Sequence, residues 1–433
     1  MYLPAVGAPT DSGGTRPRVV RRARAMTQTS ISSPSLIRLA GLPYFLIAFI
    51  ARLPFAMMVV GVLTVVVSAR GSLSLGGLTS AAVGIGTAVV GPLLGAAADR
   101  FGQRPVLVVL AVLNAALLAV FIVVVYSDAG ESLLLLSAFA VGATAPQVAP
   151  MSRSRLVTII DDRMPEAGRA KTTSATMSYE SAADETVFVL GPFLVGILAS
   201  LITPWAPLAL ASALILIFVG AFALHPTGRH VSAARGADGS APSRVAELFR
   251  PALLVVVLGI FGVGFFFGAT LTSLTSFMAD RGDAERAGLL YGVMGIGSAL
   301  LALGVAWLPP RFTLRARWLV FSLVLVVGSV LVAFSRDEAM LILALAILGI
   351  GVGPTLVTLY SFGAARSPLG RSATVMTMLG SGIVVGQALA SAVTGQIAES
   401  IGTEAALWMP LAAALLVFIS GVANRFLTPT PRW

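Results

Sequence analysis

Residues 83–104 read VGIGTAVVGPLLGAAADRFGQR, an uncharged apolar stretch that stops at a turn holding Asp99, Arg100, Gly102, Gln103 and Arg104. The pattern recurs: a shift of 211 positions lays residues 294–315, MGIGSALLALGVAWLPPRFTLR, over it, so that Arg100 meets Arg311, Phe101 meets Phe312 and Arg104 meets Arg315. The same shift brings Val141, Gly142 and Thr144 onto Val352, Gly353 and Thr355, and Arg155 onto Arg366. Farther along, a shift of 198 pairs Ser174-Ala175-Thr176 with Ser372-Ala373-Thr374, the loop at 158–172 being longer than its counterpart. Any one match is cheap in so Gly-, Ala- and Leu-rich a chain. A single shift that aligns two apolar runs together with the arginines that follow them points to duplicated halves.

Outward from this repeat, the composition explains what the apolar runs are for. With 57% hydrophobic and 11% charged residues, the 433-residue chain is far below the roughly one-quarter charged share of a soluble domain, and a lipid-facing surface resolves the conflict. A hydrocarbon core of about 30 Å takes about 20 apolar residues at 1.5 Å each. That ruler fits twelve times, near 42–68, 76–97, 105–126, 132–157, 173–202, 205–224, 251–279, 287–308, 317–334, 339–362, 373–397 and 404–424. The expected organisation is a polar, arginine-bearing and disordered N-terminus (1–41), a six-helix bundle (42–225), a flexible linker (226–250), a second six-helix bundle (251–425) and a short tail (426–433). The fold class is therefore all-α and integral to the membrane, twelve helices in two pseudo-symmetric bundles. Met26 offers a second start, and the first apolar run is too long for the core of a signal peptide. Within the linker, Val245–Phe249 is expected as a short amphipathic helix on the membrane surface.

Of the 29 basic residues, 24 fall on one side of these spans and four, Arg70, Arg281, Arg286 and Arg336, on the other, with Arg52 inside a span. Lys and Arg collect in cytoplasmic loops, so both termini are expected in the cytoplasm of a multi-pass inner-membrane protein. The net charge of +10 is then topology; no basic stripe interleaved with stacking aromatics marks a nucleic-acid surface. Absent cysteines exclude disulfides, thiolate metal sites and cysteine nucleophiles, and His225 and His230 lack the companions a metal site needs. No Ser/His/Asp set, Walker loop or cofactor-binding motif is present, so neither an enzyme nor an ATP-driven pump is expected.

The turn Gly95-Ala96-Ala97-Ala98-Asp99-Arg100-Phe101-Gly102-Gln103-Arg104 closely resembles the G-x-x-x-D-R-x-G-R-R loop of the major facilitator superfamily, and the duplicated twelve-span layout carries the resemblance over about residues 42–425. Gln103 departs from it, standing where Arg or Lys is usual. The resemblance implies a secondary transporter whose bundles rock about a central site. It also implies that Asp99 latches onto the N-terminus of the eleventh helix, near Ser372; a solvated charged turn is the alternative. Gly95 would permit close helix approach and Gly102 a tight turn. The equivalent turn of the second half, Leu308-Pro309-Pro310-Arg311, has no acid, so a latch there must be built differently. Gly191-Pro192, with Gly196 after it, is similar to the Gly-Pro signature of exporter branches, although Val195 replaces a glycine; a kink or packing groove is the alternative. The runs Arg52-Leu53-Pro54 and Glu180-Ser181-Ala182-Ala183-Asp184-Glu185 resemble those of actinobacterial members.

Ionisable residues inside spans are costly and are functional candidates by default. Arg52 lies about 16 Å into the first helix and Glu185 about 18 Å into the fifth. Glu180 and Asp184 share a helix face, with Glu185 turned about 100° away. One arginine cannot neutralise three acids, so at least one acid is expected to take up a proton, as a proton-coupled carrier requires. Arg52 is expected to pair with Asp184 or Glu185, leaving the unpaired member to bind and release the proton. The repeat places Met378, Gly382 and Ile383 opposite the acids, so the scaffold does not require them. A static ion pair, with Glu180 near the cytoplasmic interface, is the alternative. Arg153 and Arg155 are read as headgroup anchors, with binding of an anionic substrate as the alternative. Gln147, Tyr179, Tyr291, Tyr360 and Gln387 are expected to line a cavity or to satisfy neighbouring helices.

These readings converge on a monomeric proton-coupled carrier of a small solute, with protons and lipid as its partners, and with efflux of a drug-like compound or metabolite favoured. Import of a sugar or organic anion, and a non-transporting signalling or scaffold protein, remain alternatives.

Overall fold

The computed structural model describes residue 2 and residues 35–229, 243–283, 286–309 and 311–427. The expectations for the N-terminal segment up to residue 34, including the Met26 start, for His230, for the middle of the linker and for the tail beyond 427 lie outside the described residues. Among those described there are helices and turns and no strand.

Twelve helices are long and apolar enough to cross a membrane: α1 (Leu42–Arg70), α2 (Ser74–Phe101), α3 (Gln103–Tyr126), α4 (Glu131–Arg163), α5 (Glu166–Leu201), α6 (Ala206–Leu224), α7 (Pro251–Ala279), α8 (Ala287–Trp307), α9 (Leu314–Ala333), α10 (Glu338–Arg366), α11 (Ser372–Ser400) and α12 (Thr403–Leu427). Their short connections make neighbours antiparallel, so the starts of odd helices and the ends of even ones share one end of the molecule, hereafter the linker end. The other is the distal end. α1 is broken at Ala51 and Arg52, between Leu42–Ile50 and Leu53–Arg70. Pro54 explains the break, since its ring has no N–H to give and crowds the carbonyl four residues back. Two boundaries run past the apolar ruler: α4 reaches Arg163 where 157 is expected, and α5 begins at Glu166 where 173 is expected. Polar turns continue both helices beyond the hydrocarbon-length core.

α1–α4 and α6 gather around one apolar core, including Tyr44, Val83, Leu118 and Phe222, while α5 packs Val195 against Met57 of α1 and Ala211 of α6 and lends Met177 and Ala182 to the core of the other bundle. α7–α12 gather around another, including Phe266, Trp318, Leu345 and Leu379. The repeat is visible in the packing. Gly86 lies against the backbone of Phe139 and Ala143 in α4, and its counterpart 211 positions on, Gly297, lies against Gly349 in α10. Arg155 and Arg366 also act alike, each tying its helix to the bundle's sixth helix. Arg155 donates to the Phe222 carbonyl at 2.9 Å and Arg366 to Asn424 Oδ1 at 2.6 Å.

The described part of the linker docks on the second bundle. Ser243 N donates to the Leu369 carbonyl at 3.0 Å, and Arg371 Nε returns a bond to the Ser243 carbonyl at 3.1 Å. Val245–Phe249 is a 3-10 turn and not the expected amphipathic helix. Five residues are too few to repay helix nucleation, and the turn instead sinks Leu248 into the core of the second bundle.

Candidate functional site

α1, α4 and α5 bring a closed charge network together in the linker half of the first bundle. Arg52, freed from regular helix by the break in α1, donates through Nη2 to Glu180 Oε2 and holds Nε 3.4 Å from Asp184 Oδ1. Arg153 of α4 donates through Nη2 to Asp184 Oδ2 at 2.6 Å, and its guanidinium lies 3.8 Å above the Tyr360 ring of α10. Ser152 donates to Glu180 Oε1 at 2.9 Å and shares a 2.8 Å bond with the Tyr44 hydroxyl. Arg52, Glu180 and Arg153 are at most 4% exposed. Charges so deeply placed persist only when paired, and here two cations meet two anions.

Arg52 meets Asp184, one of its two expected partners, and takes Glu180 besides, while Glu185 lies 100° farther round the helix. Arg153 and Arg155 are not headgroup anchors: Arg153 lies ten residues, about 15 Å, inside the end of α4, and both are buried. Glu180 is fully buried and bonded to Arg52 and Ser152.

Glu185 is the acid left over. It is half-buried, and its Oε1 accepts a 2.8 Å bond from Ser298 of α8, across the junction between the bundles. Tyr291, also of α8, lies within its electrostatic reach. The site thus holds two guanidiniums, two acids matched to them, and a third acid whose one hydrogen bond comes from the opposite bundle.

The second constellation is the α2–α3 turn. Asp99 Oδ1 accepts from Ala373 N at 3.0 Å, and Oδ2 accepts from Thr374 N and Thr374 Oγ1 at 2.7 and 2.6 Å. A carboxylate thereby satisfies two of the free N–H groups that open α11, where the helix dipole favours negative charge. Gly95 makes this possible: any Cβ there would run into Thr377 and the Ala373 carbonyl. Gly102 turns the chain at φ +87°. Arg100 and Arg104 are exposed and stand away from α11. Gln103 is fully buried; its Oε1 accepts from Arg155 Nε at 3.0 Å and its Nε2 donates to the Met151 carbonyl at 3.2 Å. On the other bundle, Arg317 at the start of α9 donates to Ser174 Oγ of α5 at 3.2 Å. With Glu185–Ser298 at mid-depth, these bonds fasten the bundles at the linker end.

The other candidates scatter. Gly191 seats α5 on Ala56 of α1, Pro192 lies within unbroken helix, and Gly196 meets nothing within 4 Å. Gln147 Nε2 turns back to the Ala145 carbonyl, and the Tyr179 hydroxyl donates to the Phe45 carbonyl at 3.3 Å. Tyr360 is the platform beneath Arg153, and Gln387 is exposed. A cavity of about 320 Å³ opens at the distal end of the second bundle between Phe277, Arg281, Arg336, Glu404 and Trp408, and none of the five expected lining residues borders it. Sequence reading misses Ser152, Tyr44 and Ser298. The only signal for Ser152 is its place before Arg153 in a helix longer than its apolar run.

The sequence profile of the Major Facilitator Superfamily matches residues 44–377. No curated protein sequence matches the chain significantly. Among solved structures, the human organic anion transporter MFSD10 (TETRAN) is similar at 21% identity and TM-score 0.67, over 90% of this chain and 100% of that one. A bacterial homologue of the iron transporter ferroportin, in an outward-facing state, is similar at 15% identity and TM-score 0.72, over 88% and 98%. The E. coli fucose:proton symporter FucP is similar at 17% identity and TM-score 0.63, over 90% and 100%. At these identities the likeness is one of fold.

Proposed function

Because this chain belongs to the major facilitator superfamily, a family of multi-pass membrane transporters, we propose that it is a proton-coupled secondary carrier of a small solute, with Glu185 as the proton-binding group. One observation carries the reading: once Arg52 and Arg153 are matched by Glu180 and Asp184, Glu185 is the one of these three acids with no ion pair among the described residues, and its hydrogen-bond partner, Ser298, belongs to the other bundle. Protonation there would remove a charge at the joint between the moving halves, which is where a driving ion must act to bias one arrangement over the other. The Asp99 and Arg317 bonds close the linker end. With both termini cytoplasmic in the cell inner membrane, this is an outward-facing arrangement, like that of the ferroportin homologue. A single chain carries both bundles and all members of the site, so the working unit is a monomer.

Efflux of a drug-like compound or metabolite is the favoured direction, supported by the Gly191-Pro192 resemblance. A second reading, carriage of an organic anion, draws on Arg52 Nη1 and Arg153 Nε, buried donors without an acceptor. Tolerance profiling of strains lacking or overproducing the protein identifies the solute, since efflux shifts tolerance and import does not. In proteoliposomes, Glu185→Gln then loses movement of that solute driven by an imposed pH gradient and keeps its exchange down a gradient. Undiminished pH-driven transport by that variant would refute the assignment.

A further inference from the structure

The second bundle departs from the first at its distal end. α3 and α9 start 211 positions apart, at Gln103 and Leu314, but α3 runs to Tyr126 while α9 stops at Ala333, four residues short of the counterpart, Asp337. α9 therefore lacks one helical turn, about 6 Å. Arg70 and Arg281, also 211 apart, show the consequence. Arg70 is wrapped by four carbonyls around the end of α3, those of Val124, Val125, Ser127 and Ala129. Arg281 meets one carbonyl of the α9–α10 turn, that of Arg336 at 2.8 Å, and turns its other bond back to Phe277 of its own helix. The cavity of about 320 Å³ lies where the missing turn would have packed, and its size suits a small-molecule site.

The lining is sorted by chemistry. Phe277 and Leu407, buried in the core of the second bundle, form the inner wall. Phe334 and Trp408, half-exposed, stand outside them with their rings 5.3 Å apart. The rim is charged: Arg336 and Glu404, 72% and 82% exposed, pair at 2.5 Å, and the exposed Asp280 forms no ion pair among the described residues. Arg281 is committed to its two carbonyls and to the Phe277 ring, 3.5 Å away.

We propose that this cavity is a second ligand site, separate from the charge network of α1, α4 and α5, for a free α-amino acid with an aromatic or branched apolar side chain. A simple cation would take Glu404 and strand Arg336; a simple anion would take Arg336 and face two acids. A zwitterion satisfies both. An exposed ion pair contributes little, so Arg336–Glu404 opens readily. The carboxylate of the ligand then takes Arg336, and its ammonium takes Glu404 and Asp280 beside the Trp408 ring, which also attracts cations. The apolar side chain fills the inner wall. A phosphoethanolamine headgroup carries the same two charges, but its apolar part leads away into the bilayer, whereas the apolar surface here lies inward. The inference does not depend on the role of Glu185.

Binding of L-phenylalanine is measured by calorimetry on the protein in phosphatidylglycerol nanodiscs. Saturable binding of one equivalent is expected, with 2-phenylethylamine and 3-phenylpropanoate, each lacking one charge, weaker by about tenfold. Asp280→Asn and Arg336→Gln, both at exposed positions, should each weaken phenylalanine by a similar factor, and Ala333→Phe, which fills the cavity, should abolish binding in a protein that still melts cooperatively. Should the Ala333 variant not fold, Asp280→Asn/Arg336→Gln takes its place. Absence of phenylalanine binding, equal binding of either analogue, or binding undiminished in Asp280→Asn/Arg336→Gln overturns the inference. Loss of phenylalanine binding on adding phosphatidylethanolamine to the nanodiscs would give the site to a lipid headgroup and overturn the assignment to a free ligand.

Discussion

Arg153 and Glu185 lie on facing helices and show how differently a buried charge behaves with and without a partner. Arg153 is bound to Asp184 and stacked on Tyr360, so Arg153→Met strands a carboxylate that Arg52 meets only at 3.4 Å. Breaking a buried pair from one side costs about 3–5 kcal/mol, whereas removing both partners is often near neutral. The single variant should therefore melt well below the parent in detergent, and Arg153→Met/Asp184→Leu should recover more than half of the loss. A double variant no more stable than the single one would show that the pair does not act as a unit. Glu185 is the opposite case. A glutamine keeps the oxygen that accepts from Ser298, so Glu185→Gln should change stability by less than about 1 kcal/mol, and its transport defect cannot be attributed to misfolding.

At the scale of elements, the contact between α2 and α11 is the gate that the proposed carrier would use, and its energetics follow from a carboxylate facing a helix N-terminus. Asp99→Asn exchanges charge-assisted bonds for neutral ones and turns an amide N–H₂ toward donors of α11. A loss of about 2 kcal/mol, within the range for hydrogen bonds to charged groups, changes the closed-to-open ratio about thirty-fold. A cysteine placed at an α2–α11 contact, such as Ser381 beside Gly91, should accordingly react several-fold faster with a small soluble maleimide in the Asp99→Asn protein. Unchanged labelling would argue that Arg317–Ser174 holds the linker end by itself. That second fastening shows how the half without an acid solves the same problem: Arg317 reaches Ser174, the residue the repeat pairs with Ser372 at the start of α11.

For the whole molecule, the bonds between bundles among the described residues lie at the linker end or at mid-depth, so in the proposed cycle closure there and opening at the distal end belong to one rigid rearrangement. The distance between spin labels at Leu201→Cys and Leu289→Cys, exposed at the distal ends of α5 and α8, should shorten by several ångström whenever that between labels at Arg104→Cys and Leu369→Cys, exposed at the linker end on opposite bundles, lengthens. Independent variation of the two distances would contradict rocking of intact bundles.

The twelve spans, the duplication and the place of Asp99 are all legible in the sequence, because each depends on composition within one window or on a motif whose members are adjacent in the chain. The partners inside the membrane are not. Whether Arg52 meets Glu180 and Asp184 or Glu185 depends on which face of α5 packs against the break in α1. Whether Arg153 is an anchor or half of a buried pair depends on how far α4 continues beyond its apolar run. Hydrophobicity fixes which segments cross the bilayer, but the pairing of charges is settled by packing between helices far apart in the chain, and only the tertiary structure decides that.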